Sequence, residues 1–522
     1  GSNVTAFGYA AGQYSTGSSN TFVGSYAGQG GTTSAPFSSG QRNTALGYQA
    51  LQLFTTGNDN VAIGYQALRA NTTADYNIAI GTEAGKSLTS GARNIVMGRR
   101  AYKLATGGAN TIAIGYNAGE NVTGGNDVFI GYQTGFGSTG NSGANGSFNT
   151  VVGGGAFFKN RTGATKNTIM GYQAGYWIYD GGSENVHIGY QSGHYATGSY
   201  NTFVGTEAGK GGTTSAPYSS GQYGVAIGYQ AGYSFTTTAV TAIGYQAAYN
   251  STTGGGVHIG YQAGYSQTTG NQNVSVGDNA LYSNQTNQYN VAIGKNALYD
   301  LAGSSLDGNV AVGWQAGENA QVDTGTVMIG YRAGIQQTGH SSVSIGYEAG
   351  LYGQGGQSIY IGRNAGSGTG THSNVGVAIG YQAGIRLRAG GSHAHTFVGW
   401  RAGFQMSGSN DFFGYQAGYG SVSSAPYGSG QFNVGIGTNA LYNLSTGEHN
   451  VAVGRGAGYD ITTGKYNTIL GGNSPASSLT DKNENVVIGY RAAESHNFGS
   501  SNTFIGTYVA KDWGSVQTNH CV

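Results

Sequence analysis

The side chains best suited to chemistry in this 522-residue sequence are its ten histidines and 21 acidic residues, and they are scattered along the chain. His393 and His395 form a His-x-His pair, and two imidazoles on one strand face can ligate a metal ion. No carboxylate lies close by in sequence to complete such a site. His187 and His258 stand at equivalent places in two copies of a short motif, which indicates a permissive structural position. The sequence therefore predicts no metal site and no cofactor.

The other candidate motifs also favour structure over catalysis. Glu83 with Lys86, and Glu207 with Lys210, recur in Thr-Glu-Ala-Gly-Lys and are most simply local ion pairs. The segment Gly-Ser-Gly-Thr-Gly at 366–370 looks like a phosphate loop, but it lacks the following helix and lysine. We therefore predict no catalytic residue, and that the chain is not an enzyme.

The composition excludes several classes of protein. Charged residues are 8% of the chain and the net charge is +1, which gives no electrostatic attraction for nucleic acid. The single cysteine, Cys521, excludes an internal disulfide framework. No apolar run approaches the ~20 residues that span a bilayer, so no membrane insertion is expected in this segment. The chain opens Gly1-Ser2 without methionine, so a missing leader carries no weight.

A short motif of the type Asn-Val-Ala-Ile-Gly recurs along the whole sequence. Its glycine, here called position 0, occurs in 29 copies from Gly8 to Gly506, and most steps between copies are 16 to 18 residues. Position −1 is apolar in every copy, position −3 is Val, Ile or Thr in 28 copies, and position +3 is Ala in 25. A disordered low-complexity chain has no reason to keep such positions constant. A fixed period of this kind is typical of a repeat architecture.

The motif predicts a short strand followed by a turn. Positions −3 and −1 lie two residues apart and favour β-branched residues, so they share one face of a strand, which we expect to point into the core. The glycine then permits a bend that a β-carbon would block. The residues expected to fill this repeat core are Ile63, Ile80, Ile114, Ile227, Ile293, Ile379 and Ile488.

These features predict an all-β fold, a β-solenoid or β-roll of about 29 coils with a step of about 17 residues and no globular helical domain. Helical repeats are longer, and glycine this frequent costs a helix ~1 kcal/mol at each occurrence. Residues 1–522 are expected to form a single continuous repeat rod. Because both ends are cut within a copy of the motif, we expect this rod to be a segment of a longer fibre.

The Asn-(Thr/Val)-Ala-Ile-Gly motif, as in Asn60 to Gly64, resembles the repeats of trimeric autotransporter adhesin heads and of bacteriophage tail fibres. The resemblance extends over 3–522, although those heads have a step of about 14 residues and lack the Tyr at +1. It implies a β-roll, a homo-oligomer with a trimer favoured, and a location outside the cell, on a cell surface or on a virion. It also implies a role in attachment.

Four insertions lengthen the step between copies, near 28–43, 135–149, 209–224 and 418–433. Loops on a rigid scaffold are common binding sites, so Phe37, Tyr218 and Tyr427 are the candidate binding residues. The alternative is that the insertions are loops without a function that the fold tolerates. The aromatic residues at +1 likewise suit either glycan binding or a stacked ladder that stabilises the coil.

The sequence is compatible with two functions. The first is a fibre shaft or adhesive surface of a virion or cell, with surface glycans as candidate ligands. The second is an extracellular structural filament or sheath that assembles from neighbouring copies without a receptor. An ice-binding solenoid is disfavoured, because Thr occupies −3 in only part of the copies.

Overall fold

The structure is a computed structural model. It describes residues 2–31, 37–137, 146–159, 163–178, 181–211, 219–236, 239–252, 255–301, 306–321, 324–338, 341–353, 356–368, 374–385, 393–420, 428–473, 479–494 and 498–509. The chain divides into two compact units, Gly1–Asn271 and Gln272–Val522. Each unit is described by itself.

The first unit holds fifteen short strands, one in each coil. They are β1 Thr5–Phe7, β2 Thr21–Val23, β3 Thr44–Leu46, β4 Val61–Ile63, β5 Ile78–Ile80, β6 Ile95–Met97, β7 Ile112–Ile114, β8 Val128–Ile130, β9 Thr150–Val152, β10 Thr168–Met170, β11 Val186–Ile188, β12 Thr202–Val204, β13 Val225–Ile227, β14 Val240–Ile243 and β15 Gly256–Ile259. Each strand pairs in parallel with the next, so that Val61, for example, lies beside Ile78.

The second unit repeats the arrangement with fourteen strands. They are β16 Asn273–Val276, β17 Val291–Ile293, β18 Val310–Val312, β19 Val327–Ile329, β20 Val343–Ile345, β21 Ile359–Ile361, β22 Asn374–Ile379, β23 His393–Val398, β24 Asn410–Phe413, β25 Asn433–Ile436, β26 Val451–Val453, β27 Thr468–Leu470, β28 Val486–Ile488 and β29 Thr503–Ile505. Parallel pairing again joins consecutive strands, as between β26 and β27. The predicted all-β parallel solenoid is confirmed, and the described residues contain no helix that could cross a membrane.

The glycine at position 0 is required by close contact between coils. These glycines adopt φ between 126° and 153°. A β-carbon on Gly64 would lie 2.6 Å from the carbonyl oxygen of Gly81 in the next coil. Any larger residue would have to push two coils apart, which explains why this position does not vary.

Except in β1, where all three residues are exposed, the buried face of each strand carries position −2, not positions −3 and −1. In β5, Ala79 is fully buried while Ile78 is 38% exposed and Ile80 is only partly buried. The Ala at +3 and the residue at +7, for example Leu88, complete the interior. Because side chains alternate along a strand, burying −2 turns −3 and −1 outward.

The expectation that the −1 isoleucines fill the core is therefore wrong. Ile227 and Ile293 are exposed. The others lie at intermediate depth, namely Ile63, Ile80, Ile114, Ile379 and Ile488. The physical reason is the asparagine at −4, which shares the strand face of −2 and must lie inside to reach the backbone of the neighbouring coil.

That asparagine forms a buried ladder, and it explains the orientation of the strand. Asn60 accepts a bond from the backbone N–H of Asn77 at 3.0 Å. Its own side-chain amide donates to Asn43 Oδ1 at 3.1 Å and to the carbonyl of Ala74 at 2.8 Å. Each side chain thus satisfies polar groups on both neighbouring coils, which a buried amide needs.

Positions −2 and +4 share one interior space, and their sizes compensate. In most copies with a large residue at −2, +4 is glycine: a β-carbon on Gly366 would lie 2.1 Å from the ring of Tyr360. Where +4 is leucine, −2 is small, as in the pair Ala62 and Leu68, both fully buried. The fixed interior volume of a coil therefore couples two residues six positions apart in sequence.

Candidate functional site

The outward side chains at −3 and −1 form an aliphatic surface on each unit, here called the aliphatic face. Ile95 and Met97 are 37% and 38% exposed on β6, and equivalent positions on the other strands are also Val, Ile, Leu, Met, Phe or Thr. Asp411 is the single charged residue among these positions in the 29 strands. Soluble surfaces of this size normally carry many more charges.

Aromatic side chains at +1 stack along the coils. In the second unit Trp314, Tyr331 and Tyr347 are 4.8 Å apart from ring to ring, within 20° of parallel. Arg363 continues the row, with its guanidinium 5.2 Å from the ring of Tyr347. These side chains form the stacked ladder, one of the two arrangements left open for this position. Their ring faces are covered by their neighbours, which leaves mainly ring edges for a sugar.

Two further stacks run along other corners of the coil. At +5, Tyr233 and Tyr249 are 4.8 Å apart, and Tyr442 and Tyr459 are 4.9 Å apart and nearly parallel. At −5, His449 and Tyr466 are 5.0 Å apart. Stacked aromatic pairs contribute about 0.5–1.5 kcal/mol beyond the area they bury, so these rows stabilise the coil.

The histidines do not assemble a metal site among the described residues. His187 and His258 are fully buried at position −2, and His187 stacks on Phe203 with ring centroids 5.0 Å apart. Burial lowers the pKa of His187 to about 3 and that of His258 to about 4, so both are neutral at physiological pH. His395 is also buried and stacks on Phe397, while the side chain of His393 lies outside the described residues.

The charged residues pair locally, as the Thr-Glu-Ala-Gly-Lys motif predicts. Lys86 Nζ lies 2.7 Å and Lys103 Nζ 2.8 Å from the carboxylate of Glu83. Hydrogen bonds from Lys103 and Lys86 lower the pKa of Glu83 to about 2. Lys210 makes the same bond to Glu207. A carboxylate held ionised in this way is a poor proton donor at neutral pH, so the cluster is structural.

Asp127 is a fully buried acid that replaces the asparagine at −4. Its Oδ1 accepts bonds from the backbone N–H of Asn149 at 2.8 Å and from the Asn149 amide at 3.0 Å. Its Oδ2 is buried without a hydrogen-bond partner among the described residues. Burial raises the pKa of Asp127 to about 7, against the opposing effect of the bonds from Asn149.

Of the three predicted binding residues, only Phe37 falls within the described part of the chain. Its ring is 41% exposed and lies 6.3 Å from that of Tyr14, nearly parallel to it. Tyr218 and Tyr427 lie outside the described residues. Whether the three residues lie together is therefore not tested, and their role in binding stays a prediction.

Three of the insertions rejoin the coil in the same way. Isolated parallel bridges join Ser15 to Ser38, Ala196 to Ser219 and Met406 to Gly428. In each case the residue after the insertion stands nine positions before the next anchor glycine. The inserted segments thus leave the repeat undisturbed on both sides.

Comparison of the chain with protein-family models, with curated proteins and with solved structures finds no match in any of the three.

Sequence reasoning missed the residues whose meaning depends on the neighbouring coil. Asp127 and Gly456 each depart from what most copies carry at their position, −4 and +2 respectively. Both residues stand out when the copies of the motif are aligned by the glycine at position 0, because each differs from the residue that most copies carry at its position.

Proposed function

We propose that this chain is the structural shaft and adhesive surface of a fibre on a virion or cell, assembled from copies of itself through the aliphatic face. The observation that carries the proposal is the partial exposure of an apolar row at −1 along each unit, beside a row of mainly Val, Ile and Thr at −3. Attachment is the role that the repeat motif suggests by resemblance, with surface glycans as candidate ligands. The chain acts outside the cell, and it is not an enzyme.

The size of the aliphatic face supports an interface between copies. Fifteen strands in the first unit, at ~4.8 Å each and about 10 Å of strand width, give a face of roughly 700 Å², in which position −3 is threonine on seven of the fifteen strands and position −1 is apolar on all of them. A standard protein interface buries about 800 Å² on each partner, while monomers rarely expose an apolar patch beyond about 300–600 Å². The face is thus large enough to hold a stable partner.

The chemistry of the face supports a second copy of the chain as that partner. The face is uncharged apart from Asp411, so it offers nothing to steer an acidic or basic ligand. The side chains of the face repeat once per coil along each unit, and a second copy of the chain has a face with the same repeat distance. Two or three such faces can pack along their whole length, and the resemblance to adhesin heads favours three.

A charge-balanced pair of substitutions tests the proposal. Ile78→Lys with Ile95→Glu places opposite charges on neighbouring strands of the face and leaves the net charge unchanged. The matched control, Thr73→Lys with Ser90→Glu, places the same charges at exposed turn positions of two neighbouring coils.

Sedimentation velocity then compares the two double variants with the parent chain. We expect the face variant to sediment as a smaller particle, while the control keeps the parent's coefficient and both keep the parent's circular dichroism spectrum. Equal coefficients for the face variant and the control would contradict assembly through this face. A coefficient that climbs with concentration in the parent would favour the alternative, a filament or sheath that assembles without a receptor.

A further inference from the structure

A cleft of about 280 Å³ opens on the surface of the second unit. It is lined by Asn439, Arg455, Gly456, Tyr459, Asn473 and Glu494. These residues occupy positions +1, +2 and +5 of neighbouring coils, outside the buried interior. None of these residues belongs to the aliphatic face.

The cleft exists because one side chain is missing from the row at +2. In most coils +2 carries a long polar side chain, and several of these donate to the preceding coil, as Gln246 does to Gln230 at 2.8 Å and Arg401 to Gln382 at 2.7 Å. Gly456 interrupts this row, and a β-carbon on it would meet no atom within 4 Å.

Gly155, another glycine at +2, does not open a comparable space. A β-carbon there would already touch Gln173 at 3.5 Å and Tyr176 at 3.7 Å. A missing side chain at +2 is therefore not enough by itself to make a cleft. The open space at Gly456 depends on the residues that flank it.

The walls of the cleft present unused polar groups. The Oδ1 of Asn439 is buried without a hydrogen-bond partner among the described residues. Glu494 is held by Arg491 at 2.7 Å, whereas Arg455 is exposed and makes no ion pair within the described part of the chain. Tyr459 supplies an apolar wall, with its ring stacked on Tyr442. Amides, a guanidinium, an aromatic ring and the Glu494 carboxylate, whose charge is balanced by Arg491, thus converge on one space.

We propose that this cleft binds one acidic sugar ring, a hexuronate, with the sugar carboxylate on Arg455 and its hydroxyls on Asn439 and Asn473. The volume lies just below the ~300 Å³ at which pockets for drug-sized ligands begin, which suits one ring rather than a chain. A guanidinium can bind a carboxylate through two parallel hydrogen bonds. Sugar hydroxyls both donate and accept, which matches the amides, and the C–H face of the ring packs on Tyr459. This inference gives the glycan attachment proposed above a substrate class and rests on it for its biological role.

The test uses two small probes that differ only in the group presented to Arg455. Saturation-transfer NMR of the full chain compares methyl galacturonoside with methyl galactoside. A ligand of this few atoms is expected to bind with a dissociation constant on the order of 1 mM. We expect galacturonoside to bind more tightly, and Arg455→Gln to reduce its affinity to that of the neutral probe.

Gly456→Gln is the decisive variant, because it fills the cleft without straining the fold. Gly456 has φ of 65°, and the glutamines at +2 in other coils, such as Gln66 with φ of 54°, adopt nearly the same backbone. We therefore expect the variant to fold, with an unchanged or higher melting temperature, and to lose binding of both probes. Gln246→Ala, at +2 in the first unit, is the matched control and should retain binding.

Each other outcome overturns the proposal. Absence of transfer to either probe, or transfer that survives Gly456→Gln, shows that the cleft is not the site. Equal binding of the two probes by the parent chain overturns the assignment to acidic sugars. None of these results changes the sedimentation of the assembly, so failure of the sugar site and failure of the assembly proposal are distinguishable.

Discussion

Replacing Asp127 by asparagine should stabilise the coils around it, by an amount that depends on pH. In the other copies the asparagine at −4 donates its amide to a carbonyl of the next coil, as Asn94 does to Gly108 at 2.9 Å. An ionised Asp127 has no proton to donate from the corresponding oxygen, and that oxygen is buried and unpaired among the described residues. The substitution restores the donor and removes the buried charge.

The magnitude follows from the pKa of Asp127. Burial raises it from 3.8 to about 7, so the folded chain holds a proton that the unfolded chain releases near pH 4. Folding is therefore penalised as the pH rises through this window, by ~1.4 kcal/mol per pH unit. Over about three units the penalty reaches about 4 kcal/mol, and it stays constant above pH 7. Asp127→Asn removes it, so the gain is small at pH 4 and largest at pH 8.

Hydrogen exchange measured by mass spectrometry gives the local stability of these coils, whereas a global melt averages over the chain. Peptides that cover β7 to β9 are compared between parent and variant at the same pH, so that intrinsic exchange rates cancel. We expect slower exchange in the variant at pH 8 and nearly equal exchange at pH 4. Asn149→Asp, at the same position one coil later, is the reverse control and should lose protection as the pH rises. A gain from Asp127→Asn that does not change between pH 4 and pH 8 would refute the reasoning.

Two further predictions concern the coil interior. Gly366→Leu should lower the melting temperature strongly, because the leucine side chain would overlap the ring of Tyr360. Adding Tyr360→Ala should recover most of this loss, because the double variant recreates the combination of Ala62 and Leu68. A double variant that is no more stable than Gly366→Leu would contradict size compensation. His187 has its pKa lowered to about 3 by burial, so the folded chain loses stability as the pH falls from about 6.5 towards 3, by ~1.4 kcal/mol per unit. His187→Phe should reduce this acid sensitivity in urea melts at pH 4 and pH 7, and an unchanged pH dependence would contradict it.

The period of the sequence was sufficient to predict the parallel coil, the short strand and the turn after it. Gly64 shows why: a residue that must be glycine in every coil repeats in the sequence with the spacing of the coils. The ladder formed by Asn60 and the equivalent asparagines could also be predicted from the sequence, because identical amides stacked in neighbouring coils hydrogen-bond to one another.

The hydrophobicity of the residues alone did not predict which face of each strand points into the interior. Ile63 is more apolar than Ala62, yet Ala62 is buried and Ile63 is only partly buried. The interior is too narrow for two rows of large side chains, and the buried Asn60 fixes which face turns inward. The cleft at Gly456 was equally hidden, because it depends on side chains from four coils at once.

The mass of the native particle, measured by light scattering at several concentrations, shows whether copies of the chain assemble through the aliphatic face. Such assembly gives a mass that does not change with concentration and is a small multiple of 53.3 kDa, with three copies favoured. A particle of 53.3 kDa at every concentration would contradict it, because the aliphatic face would then be exposed to water on a stable monomer.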